Sequence, residues 1–528
     1  LLTGTWPLIR LILRRDRWLI PAWIVALAGM AAVSANATID LYPSEQDRIA
    51  ASETINATGA LVAMYGAVYD PTSIGALSLI KLTAFGSAII GVVFVFLVVR
   101  HTRTDEEAGR LELLSAGVVG RAAPLTAALT VCMASSLLLG AATSALLIAV
   151  GLPTAGSVAF GLSWALAGIV FSAAAGVAAQ IAQTHRVAIG LGVAAVAAAY
   201  LLRAVGDLVD SGPSWLSWLS PIGWSQQIRP FAGDRWWVAV IPVLATLVLV
   251  PLANALRAHR DLGSGLLPDR LGPATGRLGT VGGLAWRLQR GQVIAWAVGV
   301  TLMGFVLGSV AENVTGFVTS DQMRQYIELL GGAKALVDAF LAAEISILGT
   351  IVGLAAIAFV GRLRSEESSD HTELLLATGT SRLGWASSHI VLAVLAVTGI
   401  LALAGAAIGL GHGLAAGGVG TDLARMAGAA LGHVPPVLVM VGLVVLLFGW
   451  LPRATPLAWG IWVAFLMIGE LGGLLKLPQW VMDLSPFAHA PKLPGSDVDV
   501  TGILVLLVIA LAMIVVGLIG WRRRDLRP

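Results

Sequence analysis

The side chains of this sequence that could do chemistry are concentrated in two stretches. Residues 103–121 read RTDEEAGRLELLSAGVVGR and residues 364–382 read RSEESSDHTELLLATGTSR, charged islands in a chain of which only 12% is charged. They superpose without a gap: Arg103 on Arg364, Glu106 on Glu367, Glu112 on Glu373, Leu113 and Leu114 on Leu374 and Leu375, Arg121 on Arg382. An acid–base site would gather its carboxylates at one face, whereas these alternate with arginine and leucine. At 100° per residue Arg103, Glu106, Glu107 and Arg110 share one helix face and the leucines continue it by a turn, so the pattern offers ion pairs first and an apolar knob after. In one copy this is equally a loop helix with its charges on the wet side; two copies at matching positions favour a docking surface. Thr104 and Ser365 are placed to cap these helices, each followed by an acidic first turn that suits the positive helix end.

Other chemistry lacks equipment. No G-x-x-x-x-G-K-[ST] loop occurs, so ATP binding by a P-loop is not expected. H-E-x-x-H, C-x-x-C and G-x-S-x-G are also missing, and the eight histidines form no ligand cluster, which leaves no metal site to propose. The single cysteine, Cys132, lies in an apolar run and reads as a packing residue.

Those islands must be held by a membrane protein. With 57% hydrophobic residues and a mean hydropathy of +0.87, the chain cannot be a soluble globule. The expected class is all-α and polytopic, lying in the lipid bilayer. Taking roughly 20 apolar residues per span gives twelve, near 18–37, 78–100, 123–150, 157–181, 186–206, 236–256, 291–311, 340–361, 384–411, 428–451, 454–475 and 500–521. Most Lys and Arg fall in segments that are inside if both termini are inside, so both islands are expected in the cytoplasm. The formal charge of +3 is accounted for by this topology and is no nucleic-acid signature. No cleavable signal is visible.

The repeat extends beyond the islands. Arg14, Arg17 and Trp23 match Arg287, Arg290 and Trp296 in spacing, so each half opens on a basic aromatic segment, read either as an interfacial helix or as a plain positive-inside flank. After the fifth span of each half, 211–237 and 477–495 read as non-helical, semi-apolar stretches suited to a short re-entrant hairpin, with Ser220-Pro221 matching Ser485-Pro486. The halves, 1–256 and 286–528, are thus parallel six-span repeats joined by a Gly-, Pro- and Arg-rich cytoplasmic linker at 257–285.

The pattern R-x-x-E-E-x-G-R-x-E-L-L, met as Arg103, Glu106, Glu107, Gly109, Arg110, Glu112, Leu113 and Leu114, resembles the cytoplasmic coupling loop of fused ABC-2 type permeases. The group it looks most like is that of polyketide-antibiotic exporters related to the tetronasin transporters of actinobacteria. The second island departs from the pattern, with Ser368, Asp370 and His371 in place of the second Glu, the Gly and the Arg. The resemblance implies a permease subunit in a bacterial plasma membrane, paired with two copies of a separate ATP-binding subunit that would hold ATP and Mg. Coupling would fall to helices 104–116 and 365–377, through Arg103, Glu106, Glu107, Gly109, Arg110, Glu112, Arg364, Glu366, Glu367 and Glu373. The basic segments with Arg14, Arg17, Arg287 and Arg290 would be elbow helices, and the cargo small amphipathic drugs.

Ionisable residues in or near spans default to a functional reading. Arg203, Asp207 and Lys476 lie near outer ends, where they can serve as anchors. Lys81 and Glu344 occupy nearly equivalent places and are expected to help close an outer gate, and Glu470 to meet a cationic cargo. In folds of the resembled type the second and fifth spans of each half line the pathway; here Phe85, Phe94 and Phe96 with Trp459, Trp462 and Met467 would form an apolar wall. Two rivals stand beside the exporter. A proton-coupled secondary multidrug transporter would need midplane carboxylates, which the spans nearly lack. A lipid-processing enzyme would need catalytic groups gathered at one membrane face.

Overall fold

The computed structural model describes residues 2–57, 59–115, 117–209, 214–261, 264–266, 279–311, 332–471, 478–494 and 500–525. Among them every regular element is a helix, as lipid demands of a backbone that must satisfy its own polar groups. Eleven helices are long and apolar enough to cross a membrane. A shorter apolar helix, Leu457–Leu471, stands where the sequence predicts an eleventh span, and 472–477 lie outside the described residues. The protein is a polytopic, all-α membrane protein.

The chain divides into two compact units, Leu1–Gly272 and Pro273–Pro528. The boundary falls within the stretch read as a linker, and the last span of the first unit runs on to Ala258. In the first unit the spans are Leu19–Leu41, Ile74–His101, Ala123–Ala149, Thr154–Ile181, His185–Val209 and Val240–Ala258. The second unit opens with Val281–Val310, Gly332–Ser368 and Arg382–Ala416. A fourth membrane-length stretch, Val419–Trp450, consists of the helices Val419–Leu431 and Val434–Trp450. Leu457–Leu471 and Val500–Arg523 complete it.

Four local expectations are revised. The islands do not begin with capped helices: Ser365 lies inside Gly332–Ser368, and Thr104 lies inside Arg103–Glu107, a short helix that follows the second span almost directly. A helix of 37 residues measures about 55 Å at 1.5 Å per residue, far beyond the roughly 30 Å hydrocarbon core, so the span itself carries the charges out. The continuous helices expected at 104–116 and 365–377 are each broken instead, at Gly109 (φ 69°) and at Asp370 (φ 59°). These are matching positions, and glycine and aspartate are among the few residues that accept left-handed backbone. Short helices Arg110–Ser115 and His371–Leu376 follow the breaks.

The opening segments also differ. Thr5–Arg15 is a separate amphipathic helix whose buried Leu8 and Ile12 pack with Ala123, Ala127 and Val131 of the third span. Its counterpart is no separate elbow, because Val281–Val310 runs through Arg287 and Arg290 without a break. In the first unit buried Asp16 meets Arg100 and His101 at the turn between helices. The matching residue is Gln289, also buried, which meets His389 at 2.8 Å from within the continuous helix. Finally, the stretches read as non-helical contain short helices, Trp215–Trp218 and Pro221–Gln227 in one unit and Gln479–Met482 and Pro486–His489 in the other. The Ser220 hydroxyl accepts from the backbone N–H of Ile222 and Gly223, a cap that starts the second of these.

Helices pack closely where glycine removes the side chain, the usual device among helices in lipid. A Cβ on Gly140 would collide with the Gly161 carbonyl between the third and fourth spans of the first unit. In the second unit a Cβ on Gly517 would stand 2.5 Å from the Val445 carbonyl oxygen. Gly517→Val is therefore expected to lower the melting temperature of the detergent-purified protein, overpacking costing about 1–3 kcal/mol. Gly399→Ala, where an added Cβ meets nothing within 4 Å, should leave melting unchanged or raise it slightly. Equal melting of Gly517→Val and wild type would show that this crossing does not hold the unit together.

Candidate functional site: the charged islands and the far-end hairpin

The central carboxylate of each island faces inward. Glu106 accepts a bidentate pair from Arg260, Nη1 to Oε1 at 2.6 Å and Nη2 to Oε2 at 2.8 Å, and pairs with Arg103 at 3.0 Å. Arg103 is 1% exposed. Its Nε donates to the Gln183 carbonyl at 2.7 Å and its Nη2 to the Ser264 carbonyl at 2.8 Å. Arg260 also donates to the Gln180 side chain. One carboxylate thus ties the end of the second span to the loop after the fourth and to the chain leaving the sixth.

The second unit repeats the device with its own residues. Glu367 accepts a bidentate pair from Arg524, at 2.5 and 2.8 Å, and pairs with Arg364 at 3.2 Å. Arg524 follows the sixth helix of its unit as Arg260 follows that of the first. Where Arg260 leans on Gln180, Arg524 lies over the rings of Phe448 and Trp521, at 5.0 and 4.7 Å. A third pair recurs across the left-handed break: Arg110 with Asp105 at 2.7 Å, His371 with Glu366 at 3.2 Å. Arg362 adds a second partner to Glu366. Sequence reasoning missed Arg260, which it assigned to the linker. The signal was present in RAHR after the sixth span against RRR after the twelfth.

Burial redistributes the predicted coupling residues. Arg103, Glu106, Glu366 and Glu367 are buried and held in intramolecular ion pairs, so they shape the islands from within. Glu107 ties inward too, to the backbone N–H and ring of His185 at the start of the fifth span. Arg110, Glu112, Glu373 and Leu374 stand exposed, Leu374 at 71%. Arg364 is half-buried, and Gly109 supplies the break. Ser368, in the place of Glu107, donates only to the Ser365 carbonyl. Arg14, Arg17, Arg287 and Arg290 are all exposed.

The proposed pathway residues separate by face. Phe85 and Phe96, 49% and 48% exposed, are eleven positions apart and share one face of the second span; Phe94, nine from Phe85, lies on the opposite face. Phe94 is accordingly a core residue, packed at Gly168. Trp462 is also buried, and its Nε1 donates to the Thr350 carbonyl at 2.8 Å, tying the fifth helix of the second unit to its second. Trp459 is exposed, and the side chains of Met467 and Glu470 lie outside the described residues. Phe96 lines an apolar cleft with Leu19, Trp23, Val93, Arg100 and Ile189, and Trp296, the repeat partner of Trp23, lines another with Val300, Met303 and Ile351. Lys81 is exposed, 6.0 Å from the ring centre of Tyr65, and Glu344 is half-buried. Lys476 lies outside the described residues.

At the far end of the first unit Arg203 is not a snorkelling anchor. It is fully buried, donates to the carbonyls of Val62 and Met64, and sits 3.5 Å from Asp207, whose other oxygen accepts from the Ser217 hydroxyl at 2.7 Å. This network fastens the Trp215–Trp218 turn to the fifth span.

Two helical units, each holding a charged island at the end of its second span and short helices after its fifth, make up this polytopic membrane protein. Comparison with known proteins agrees. A model of the family described as "Multidrug efflux system permease Rv1217c, C-terminal domain" matches residues 278–522. The multidrug efflux system permease protein Rv1217c of Mycobacterium tuberculosis (strain ATCC 25618 / H37Rv) is 40% identical over 529 residues, covering 99% of this chain and 96% of the relative. The chain belongs to this family of permeases.

Removing one member of a buried pair costs about 3–5 kcal/mol, because the partner charge stays behind. Glu106→Gln is expected to lower thermal stability more than Glu367→Gln: the first strands two buried guanidinium groups, the second leaves Arg524 on two aromatic faces. Melting in detergent, with hydrogen exchange over 103–107 and 364–368, checks the order. Equal losses would show that the aromatic faces contribute nothing.

Proposed function

We propose that this chain is the permease subunit of an ATP-driven ABC exporter, of ABC-2 type, which moves amphipathic drugs out of a bacterial cell by alternating access. ATP and Mg are bound by a separate ATP-binding subunit, present in two copies, one at each island. Both termini and both islands lie in the cytoplasm. The observation that carries the reading is the duplicated island, with the same two arginine–glutamate pairs and a matching contact across the break in each unit, and an exposed mixture of charge and leucine beyond it.

The buried pairs give a means of transmission. A push on Arg110–Ser115 reaches the second span through the short helix Arg103–Glu107 and the sixth through Glu106 and Arg260. A push on His371–Leu376 reaches the corresponding helices through Glu367 and Arg524. The partner contacts are assigned to Arg110, Glu112, Glu373 and Leu374. Apolar clefts at Trp23 and Trp296 and the exposed Phe85 and Phe96 suit greasy cargo with few fixed polar contacts. The relative's name as a multidrug efflux permease supports the same direction and class of cargo.

Affinity purification of the tagged chain from its native membrane in mild detergent should bring down an ATP-binding subunit with drug-stimulated ATP hydrolysis. Arg110→Glu combined with Glu112→Lys should reduce the recovered ATPase at least tenfold without lowering the melting temperature, and Glu373→Lys with Leu374→Asp should do the same from the second island. Reversal of Glu106 would be a poor test, since a lysine there would join two buried arginines. A chain that purifies alone and drives efflux in vesicles without ATP would overturn the proposal in favour of ion-coupled transport.

A further inference from the structure

The cleft at Trp23 in the first unit has a charged end as well as an apolar wall. It encloses about 420 Å3, inside the range of about 300–1,000 Å3 usual for small-molecule pockets. Three spans meet there, the first through Leu19 and Trp23, the second through Val93 and Phe96, and the fifth through Ile189. Arg100 and Thr104 line the same space where the second span ends. The Arg100 side chain is 44% exposed, and among the described residues its ion pair is with buried Asp16, from Nη2 at 3.2 Å. Asp16 is shared in turn with His101, so the charge of Arg100 is only partly spent. The carboxylates that follow Thr104 are all taken: Asp105 by Arg15 and Arg110, Glu106 by Arg103 and Arg260, Glu107 by His185. Arg186, exposed, stands one turn before Ile189 on the fifth span and shares its face.

The spacing along the second span sets the depth of the cleft. Arg100 is the penultimate residue of Ile74–His101, and Val92 also lines the cleft. Between them the helix rises about 12 Å at 1.5 Å per residue, most of one leaflet's share of the roughly 30 Å hydrocarbon core. The cations therefore stand at the level of lipid head groups and the apolar wall at the level of acyl chains. A free anion would leave that wall unused, whereas a phospholipid lying in its own leaflet fills both parts, and basic pockets between helices at the membrane edge are where anionic head groups bind. The corresponding cleft of the second unit encloses about 330 Å3 at Trp296, Val300, Met303 and Ile351, and no charged residue is among those lining it. In the register that sets Arg103 on Arg364, Gly361 takes the place of Arg100. Groove and cation are combined in the first unit.

We propose that the cleft at Trp23 holds an anionic phospholipid, one acyl chain between Trp23, Phe96 and Ile189 and its phosphate against Arg100 and Thr104, with Arg186 at the rim. A guanidinium and a hydroxyl supply charge-assisted and neutral hydrogen bonds to phosphate oxygens. A drug entering the same cleft has to displace this lipid. The proposal takes from the transport reading only that the leaflet is the cytoplasmic one. Its test needs neither ATP, a partner subunit nor a known orientation, so either reading can fail alone.

The purified, delipidated chain in mild detergent is titrated with dioleoyl phosphatidylglycerol and with dioleoyl phosphatidylcholine, counting bound lipids by native mass spectrometry. The first phosphatidylglycerol should bind the wild type at least about fivefold more tightly than the first phosphatidylcholine, the range expected for one arginine at a lipid head group. Arg100→Gln should bring that preference below about twofold. Ile189→Trp, which fills the groove and leaves every charge in place, should remove the tight first site. Arg10→Gln, a change of the same charge on the exposed side of the opening helix, should leave the preference intact. Should Arg100→Gln or Ile189→Trp lose fold, judged by melting, the other variant and the wild-type comparison still decide. Equal first-site affinities for the two lipids in the wild type would overturn the assignment and return the cleft to neutral cargo. It would equally be overturned by folded Arg100→Gln and Ile189→Trp variants that keep the full preference, or by an equal loss in Arg10→Gln, which would mark general attraction to a basic surface.

Discussion

A carboxylate out of water between two arginines is the constraint on which each unit depends. Glu106 sits 2.6 Å from Arg260 and 3.0 Å from Arg103, and all three are nearly solvent-free. Taking such charges out of water is expensive, and only well-aligned hydrogen bonds offset it. The geometry therefore permits little play: the end of the second span, the chain after the sixth and the loop carrying Gln183 hold one arrangement or lose several kcal/mol. Glu367 imposes the same condition on its own unit through Arg524.

The two units solve the problem with different neighbours. In the first, polar groups surround the pair, and further ties run from Asp105 to Arg15 on the opening helix and from Glu107 to His185 on the fifth span. In the second, aromatic rings of Phe448 and Trp521 cover the arginine, and serine replaces the carboxylate that would reach the fifth helix. Among the described residues the first island is thus tied to the opening helix, the fifth span and the chain after the sixth, and the second to the chain after its sixth helix.

Apolar packing supplies the rest of the rigidity. Tryptophan Nε1 groups bridge helices within each unit, Trp164 to the Leu82 carbonyl and Trp462 to the Thr350 carbonyl, both meeting the second span. Glycines let helices approach until backbones touch. These contacts brace the second span from the membrane side, while the ion pairs hold its charged end.

Composition and hydropathy period were enough to establish an all-α membrane protein, because lipid leaves the backbone few choices, and the repeated spacing of the islands needs no structure to be seen. The left-handed break at Gly109 and Asp370 was half legible: the departure at Asp370 was visible, its backbone consequence was not. Helix starts at Thr104 and Ser365 were misread because the second spans carry their order past the membrane edge, which no cap residue announces. The direction of Glu106 and Glu367 was beyond sequence reasoning altogether. Whether a carboxylate faces water or a buried arginine depends on a partner about 150 residues away, brought near only when six helices pack. The same holds for Trp462, aromatic like the exposed Trp459 and distinguished from it by which helix lies opposite.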